Sequence, residues 1–119
     1  MSHVCIAVVD DDSQVRDATS SLLRSLGYLT QTYASAEAFL TDDTAGIDCV
    51  LSDYQMPGMT GIDLIERVRS RPEPIPVVLM TAHGGGGIAE QARQAGAAGF
   101  LEKPIDDTAL IVAIASALA

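Results

Sequence analysis

Asp53 closes the apolar run Cys49–Ser52, and three other apolar runs also end in residues able to do chemistry. Val8–Val9 leads into Asp10, Asp11 and Asp12, Val77–Met80 leads into Thr81, and Phe100–Leu101 leads through Glu102 to Lys103. Carboxylates that converge on one cleft repel one another and raise one another's pKa, and a bound cation relieves this. Hard oxygen ligands with open positions suit Mg²⁺, which keeps waters and shares its shell with phosphate. Asp11 and Asp53 are the expected direct ligands, with Asp10 acting through a coordinated water. Asp12 is read as a helix-start residue, since an acid there favours the helix dipole. A metal-bound carboxylate at a strand tip is a nucleophile for phosphorus. The transferring group spreads negative charge over its oxygens, so cations and donors around it are what catalysis needs. Lys103 offers a point charge, Thr81 a hydroxyl, and the loop after Asp53 backbone N–H groups.

The chain has 119 residues, within the usual range of one domain, so a single domain over residues 1–119 is expected. Seven Lys and Arg stand against sixteen Asp and Glu, a net charge of -9. That balance argues against binding nucleic acid or an anionic membrane by bulk charge. No apolar run approaches the ~18–20 residues of a membrane span, and no signal peptide is visible. Cys5 and Cys49 sit in apolar runs without metal-ligand spacing, and are read as reduced, buried thiols of a cytoplasmic protein.

The elements that must position these residues alternate. Strand-like runs at Val4–Val9, Leu29–Tyr33, Asp48–Ser52, Ile75–Met80 and Gly99–Leu101 are each followed by a helical pattern. The first, third and fourth are nearly continuous in apolar residues, as parallel strands covered on both faces are. The second alternates, as an edge strand would. Ser13 is the expected cap of a helix with Val15, Ala18, Leu22 and Leu26 on its inner face, ended by Gly27. Ser35 opens a short helix containing Phe39 and Leu40. Thr60 and Asp63 have capping-box spacing ahead of Leu64, Ile65 and Val68, with Pro72 as a stop. An alanine-rich helix spans Ile88–Ala95 and closes at Gly96; Asp106 or Asp107 caps the last, which carries Leu110, Ile111, Ile114 and Leu118. This alternation predicts an α/β fold, a flavodoxin-like (βα)5 three-layer sandwich with a five-stranded parallel sheet of order 2-1-3-4-5. In such sheets ligands bind beyond the carboxyl ends of the strands, where Asp10, Asp53, Thr81 and Lys103 all fall.

The segments VVDDD at 8–12, LSDYQMPGMTG at 51–61, MTAH at 80–83 and FLEKP at 100–104 resemble the receiver domain of two-component response regulators (CheY-like), over essentially the whole chain. The fine pattern is most similar to receivers of the FixJ/NarL-like group. The resemblance implies that Asp53 accepts a phosphoryl group from a sensor histidine kinase or phosphotransfer protein, or from a small donor such as acetyl phosphate. It implies that Asp10, Asp11, Asp53 and the Gln55 backbone carbonyl organise Mg²⁺, and that Thr81 and Lys103 contact the phosphoryl group. It further implies a switch through Thr81 and Phe100, a cis Lys103–Pro104 peptide, and kinase contacts that include Val15, Arg16 and Ile105. A homodimer through the fourth helix and fifth strand is a further expectation of the resemblance.

The chain departs from the common pattern in two places. Phe100 stands where many relatives have tyrosine, and Gly84–Gly87 is an unusual run. The run is no P-loop, since no Lys-Ser/Thr follows, and is expected to loosen the start of the fourth helix. His83 is read as a loop residue near the site, with a role in ordering water as the alternative. Two rival functions are weaker. A haloacid-dehalogenase-type phosphatase would use Asp10 and Asp12, but Gln14 breaks its signature and Asp53 is left without a role. A flavin mononucleotide site would need a phosphate loop where Asp10–Asp12 would repel phosphate.

Overall fold

The computed structural model describes residues 3–82 and 86–119, and the elements alternate as the sequence predicts. Strands β1 (Cys5–Val9), β2 (Leu29–Tyr33), β3 (Cys49–Asp53), β4 (Val77–Thr81) and β5 (Gly99–Glu102) form one parallel sheet in the order β2-β1-β3-β4-β5. Between and after them run α1 (Ser13–Ser25), α2 (Ala36–Thr41), α3 (Gly61–Arg69), α4 (Ile88–Ala95) and α5 (Asp107–Leu118). Apolar runs become strands buried on both faces because successive side chains point opposite ways. Ala7, Val9 and Val50 pack with Phe39 of α2, Leu64, Ile65 and Val68 of α3, and Ala92 of α4. Ile6, Val8, Cys49 and Leu51 pack with Leu23 of α1 and Leu110 and Ile114 of α5. Cys5 and Cys49 are both buried but belong to opposite faces of the sheet.

Several boundaries shift from the sequence expectation, and two shifts matter for function. β3 runs one residue further to include Asp53, and β4 includes Thr81, so both side chains are held by strand pairing rather than by a loop. Asp12, not Ser13, caps α1: its carboxylate accepts from the N–H groups of Gln14 and Val15. The inner face of α1 is also rotated. Leu23 is fully buried, whereas Ala18 is exposed and lines a surface groove. In α5 only Leu110 and Ile114 are buried, and Ile111 and Leu118 face outward with Val112.

The remaining caps agree with the sequence reading. Ser35 caps α2, the Thr60–Asp63 capping box opens α3, and Asp106 caps α5. Each such cap contributes about 1 kcal/mol. Gly27 and Gly96 follow their helices with φ of 97° and 104°, the left-handed conformation in which glycine carries no steric penalty. At the other end of α4, Gly87 (φ 79°) occupies the cap position and offers no side-chain hydrogen bond. His83, Gly84 and Gly85 lie outside the described residues.

Candidate functional site

The carboxyl ends of β1, β3, β4 and β5 meet at one edge of the sheet, and each is fixed by backbone hydrogen bonds. Asp10 N–H donates to the Tyr33 carbonyl at 3.1 Å, which ties the end of β1 to β2. Tyr54 N–H donates to the Met80 carbonyl at 2.7 Å, just after β3. Lys103 N–H donates to the Thr81 carbonyl at 2.8 Å, just after β5. The Lys103–Pro104 peptide is cis, as the resemblance implied. Below Asp53 the entrance to α3 presses closely. A Cβ on Gly61 would stand 2.5 Å from the Asp53 carbonyl oxygen and against Leu79. Gly61 is therefore a steric requirement of the end of β3, and its N–H donates to the Tyr54 carbonyl at 2.9 Å.

Asp10, Asp11 and Asp53 come together: each offers a carboxylate oxygen, all within 4.8 Å of one another. Asp10 is 1% exposed and Asp53 7%, whereas Asp11 opens to solvent. The Lys103 ammonium lies 3.1 Å from Asp10 Oδ2 and 3.2 Å from Asp53 Oδ1. Burial raises the Asp53 carboxyl above its ordinary pKa, Lys103 pulls it back, and the charges of Asp10 and then Asp11 push it up again. For Lys103 burial works to lower the pKa, but the hydrogen bond and charge of Asp10, with those of Asp53, outweigh it and leave the ammonium raised. Two buried acids, one solvent-facing acid and one lysine leave net negative charge at this edge of the sheet. The three carboxylates offer hard oxygens, a donor set that fits a hard divalent cation.

Thr81 is 4% exposed, beside the end of β3. Phe100 pairs with Leu79 in the sheet register, and Thr81 pairs with Glu102. By the two-residue strand period Phe100 and Thr81 share a sheet face, one diagonal step apart. Phe100 is partly buried against the core on that face, next to the α3 and α4 side. Gln55 is exposed directly after Asp53 and Tyr54. Beside Lys103 an apolar groove of about 300 Å³ is lined by Val15, Ala18 and Leu22 of α1 with Pro104 and Ile105.

Two contacts near the site were not anticipated from sequence. Glu37 of α2 reaches across to the turn before α3, where its carboxylate accepts from Met59 N–H at 3.4 Å. Its Oε2 would be 2.7 Å from a Cβ on Gly58, whose φ is 79°. Arg16, expected among the partner contacts, is half-buried, and its Nη1 donates to the Asp10 carbonyl at 2.8 Å. The only signal for it was a cation in the first turns of a helix, where the dipole disfavours one.

Comparison with known proteins agrees with this fold. The family model described as the response regulator receiver domain matches residues 6–115. Over 115 residues the chain is 42% identical to the transcriptional regulatory protein FixJ of Bradyrhizobium diazoefficiens, covering 95% of this chain and 56% of that protein. It is 37% identical over 114 residues to the response regulator protein TodT of Pseudomonas putida, covering 95% of this chain and 50% of that one. The chain thus spans about half the length of the curated relatives it matches. The crystal structure of FixJ-N superposes with a TM-score of 0.88 at 34% identity, covering 99% of this chain and 95% of that one.

Proposed function

Because the chain belongs to the response regulator receiver family, in its FixJ/NarL-like group, we propose that Asp53 is the phosphoacceptor of a Mg²⁺-dependent signalling switch. The observation that carries this reading is the convergence of Asp10, Asp11 and Asp53 within 4.8 Å, bridged on one side by Lys103. Asp10, Asp11, Asp53 and the Gln55 carbonyl are the residues that hold the cation. When bound, Mg²⁺ neutralises the acidic cluster and draws charge from the incoming phosphoryl oxygens.

The chain's own groups supply the rest. An Asp53 carboxylate oxygen attacks phosphorus, the bond to the donor breaks, and the donor leaves with that bond's electron pair. Lys103 moves its contact from the free Asp53 oxygen to a phosphoryl oxygen, keeping its hold on Asp10. The Thr81 hydroxyl donates to another phosphoryl oxygen. That contact draws β4 toward the site and lets Phe100 turn inward on the face it shares with Thr81. The partly buried position of Phe100 beside α4 supports this coupling.

The donor is a sensor histidine kinase or phosphotransfer protein, seated on α1 and the loop after β5. The apolar groove of Val15, Ala18, Leu22, Pro104 and Ile105 beside Lys103 supports that docking surface. The domain acts as a switch rather than a turnover enzyme, and spans residues 1–119. Its phosphorylated form pairs with a second copy through the α4 and β5 face. It does not itself bind nucleic acid, which the charge of -9 supports.

Incubation with acetyl phosphate and Mg²⁺ tests the reading. One hydroxylamine-labile phosphoryl group per chain is expected, and none when chelator replaces Mg²⁺. Sustained hydrolysis of phosphomonoesters would favour the phosphatase instead.

A further inference from the structure

Asp10 makes four polar contacts, and one of them is unlike the others. Its N–H donates to the Tyr33 carbonyl at 3.1 Å, its Oδ1 accepts from Asp12 N–H at 3.0 Å, and its Oδ2 meets the Lys103 ammonium at 3.1 Å. Those three partners come from the sheet edge and from the turn itself. The fourth is the Asp10 carbonyl, which accepts from Arg16 Nη1 at 2.8 Å. A strand-end carbonyl that turns away from the ladder loses its strand partner, and when buried it must find another.

Arg16 sits just past the Asp12 cap, and its N–H makes a helical bond to the Asp12 carbonyl. The first turn of α1 contains no acid, so the cation there is not one half of a local helix pair. Among the described residues Arg16 forms no salt bridge with a carboxylate, although Asp10, Asp11 and Asp12 are close in sequence. Its guanidinium is committed to a backbone oxygen. The bond spans the turn from the end of β1 to the start of α1 and encloses Asp11 and Asp12. Asp11, solvent-facing and part of the carboxylate cluster, is the member whose place depends most on that turn.

We propose that Arg16 is a positioning residue of the metal site: it ties α1 to the end of β1 and so holds Asp10 and Asp11 in register with Asp53. The role rests on the Mg²⁺ reading given above. Two effects of removing Arg16 have opposite signs, which makes the role testable. Loss of a nearby positive charge tightens Mg²⁺ binding. Loss of the tie weakens it, because groups that orient metal ligands set affinity by roughly 10- to 100-fold.

Titrating Mg²⁺ into the unphosphorylated protein by NMR, for wild type, Arg16→Met and Arg16→Lys, decides between them. Amide exchange of residues 11–14 in chelator is followed in parallel. We expect Arg16→Met to bind Mg²⁺ about tenfold more weakly despite its lost positive charge. Its turn amides should exchange faster than wild type while α3 exchanges as before. Arg16→Lys, which keeps a donor, should recover most of both losses. Equal or tighter Mg²⁺ binding by Arg16→Met, or turn exchange unchanged from wild type, would overturn the proposal while leaving the metal site intact. A wild-type protein that binds no Mg²⁺ would overturn the metal reading itself and this role with it.

Discussion

Lys103 Nζ stands 3.1 Å from Asp10 Oδ2 and 3.2 Å from Asp53 Oδ1, so one ammonium bridges the two buried carboxylates at the ends of β1 and β3. Removing it separates two functions. Lys103→Gln should slow phosphorylation by acetyl phosphate by about 10²-fold, the usual scale for losing one charge-stabilising donor. The same variant should bind Mg²⁺ more tightly, because a competing cation has left the cluster. Parallel NMR titration and phosphorylation kinetics check both, and weaker Mg²⁺ binding would show that Lys103 organises the carboxylates rather than competing for them.

Asp53 carries a cost of its own. Burial leads the causes that raise its carboxyl, with Lys103 opposing and Asp10 adding to the rise. A carboxyl whose folded pKa exceeds its unfolded value binds its proton more tightly when folded. Its destabilising effect is therefore absent below the unfolded pKa and complete above the folded one. Asp53→Asn should raise the Tm at pH 7 in chelator, and the gain should shrink as pH falls through the carboxyl range. Thermal denaturation followed by circular dichroism across that range is the check. A gain independent of pH would point to packing instead.

The α/β order, the sheet topology and the strand-end positions of Asp10, Asp53, Thr81 and Lys103 were legible because period-2 and period-3.6 patterns are written in residue types. What was not legible depended on side-chain direction. Ala18 and Leu23 are both apolar and five residues apart, and only packing against the sheet decides that Leu23 is the buried one. Asp12 and Ser13 are both good caps, and the choice turns on which backbone leaves the helix first. Arg16 carries no motif that announces a bond to the Asp10 carbonyl. Ile111 and Leu118 fit a helix stripe in sequence, yet α5 turns Leu110 and Ile114 to the sheet, with Ala109, Ala113 and Ala117 partly buried beside them.

Gly61 shows how closely fold and site are joined. A Cβ would stand 2.5 Å from the Asp53 carbonyl oxygen, with backbone that cannot rotate away. Gly61→Ala should destabilise the domain by about 1–3 kcal/mol, the range for overpacking. It should also slow phosphorylation, since relief requires moving the end of β3. Gly46→Ala, with φ 88° but open space around it, should cost stability without touching phosphorylation. Urea denaturation with acetyl phosphate labelling distinguishes the two variants.

Thr81 and Phe100 share a sheet face across β4 and β5. If the Thr81 hydroxyl carries the signal, Thr81→Ala should still be phosphorylated, but the Phe100 ring resonances should no longer shift when it is. A Phe100 shift as large as in wild type would remove Thr81 from the coupling.

On the proposed reading Asp53 alone accepts the phosphoryl group. Intact-protein mass spectrometry after acetyl phosphate and Mg²⁺, comparing wild type with Asp53→Asn, is the decisive check. Wild type should gain a single phosphoryl group, lost with hydroxylamine, and Asp53→Asn should gain none. Full labelling of Asp53→Asn would contradict it.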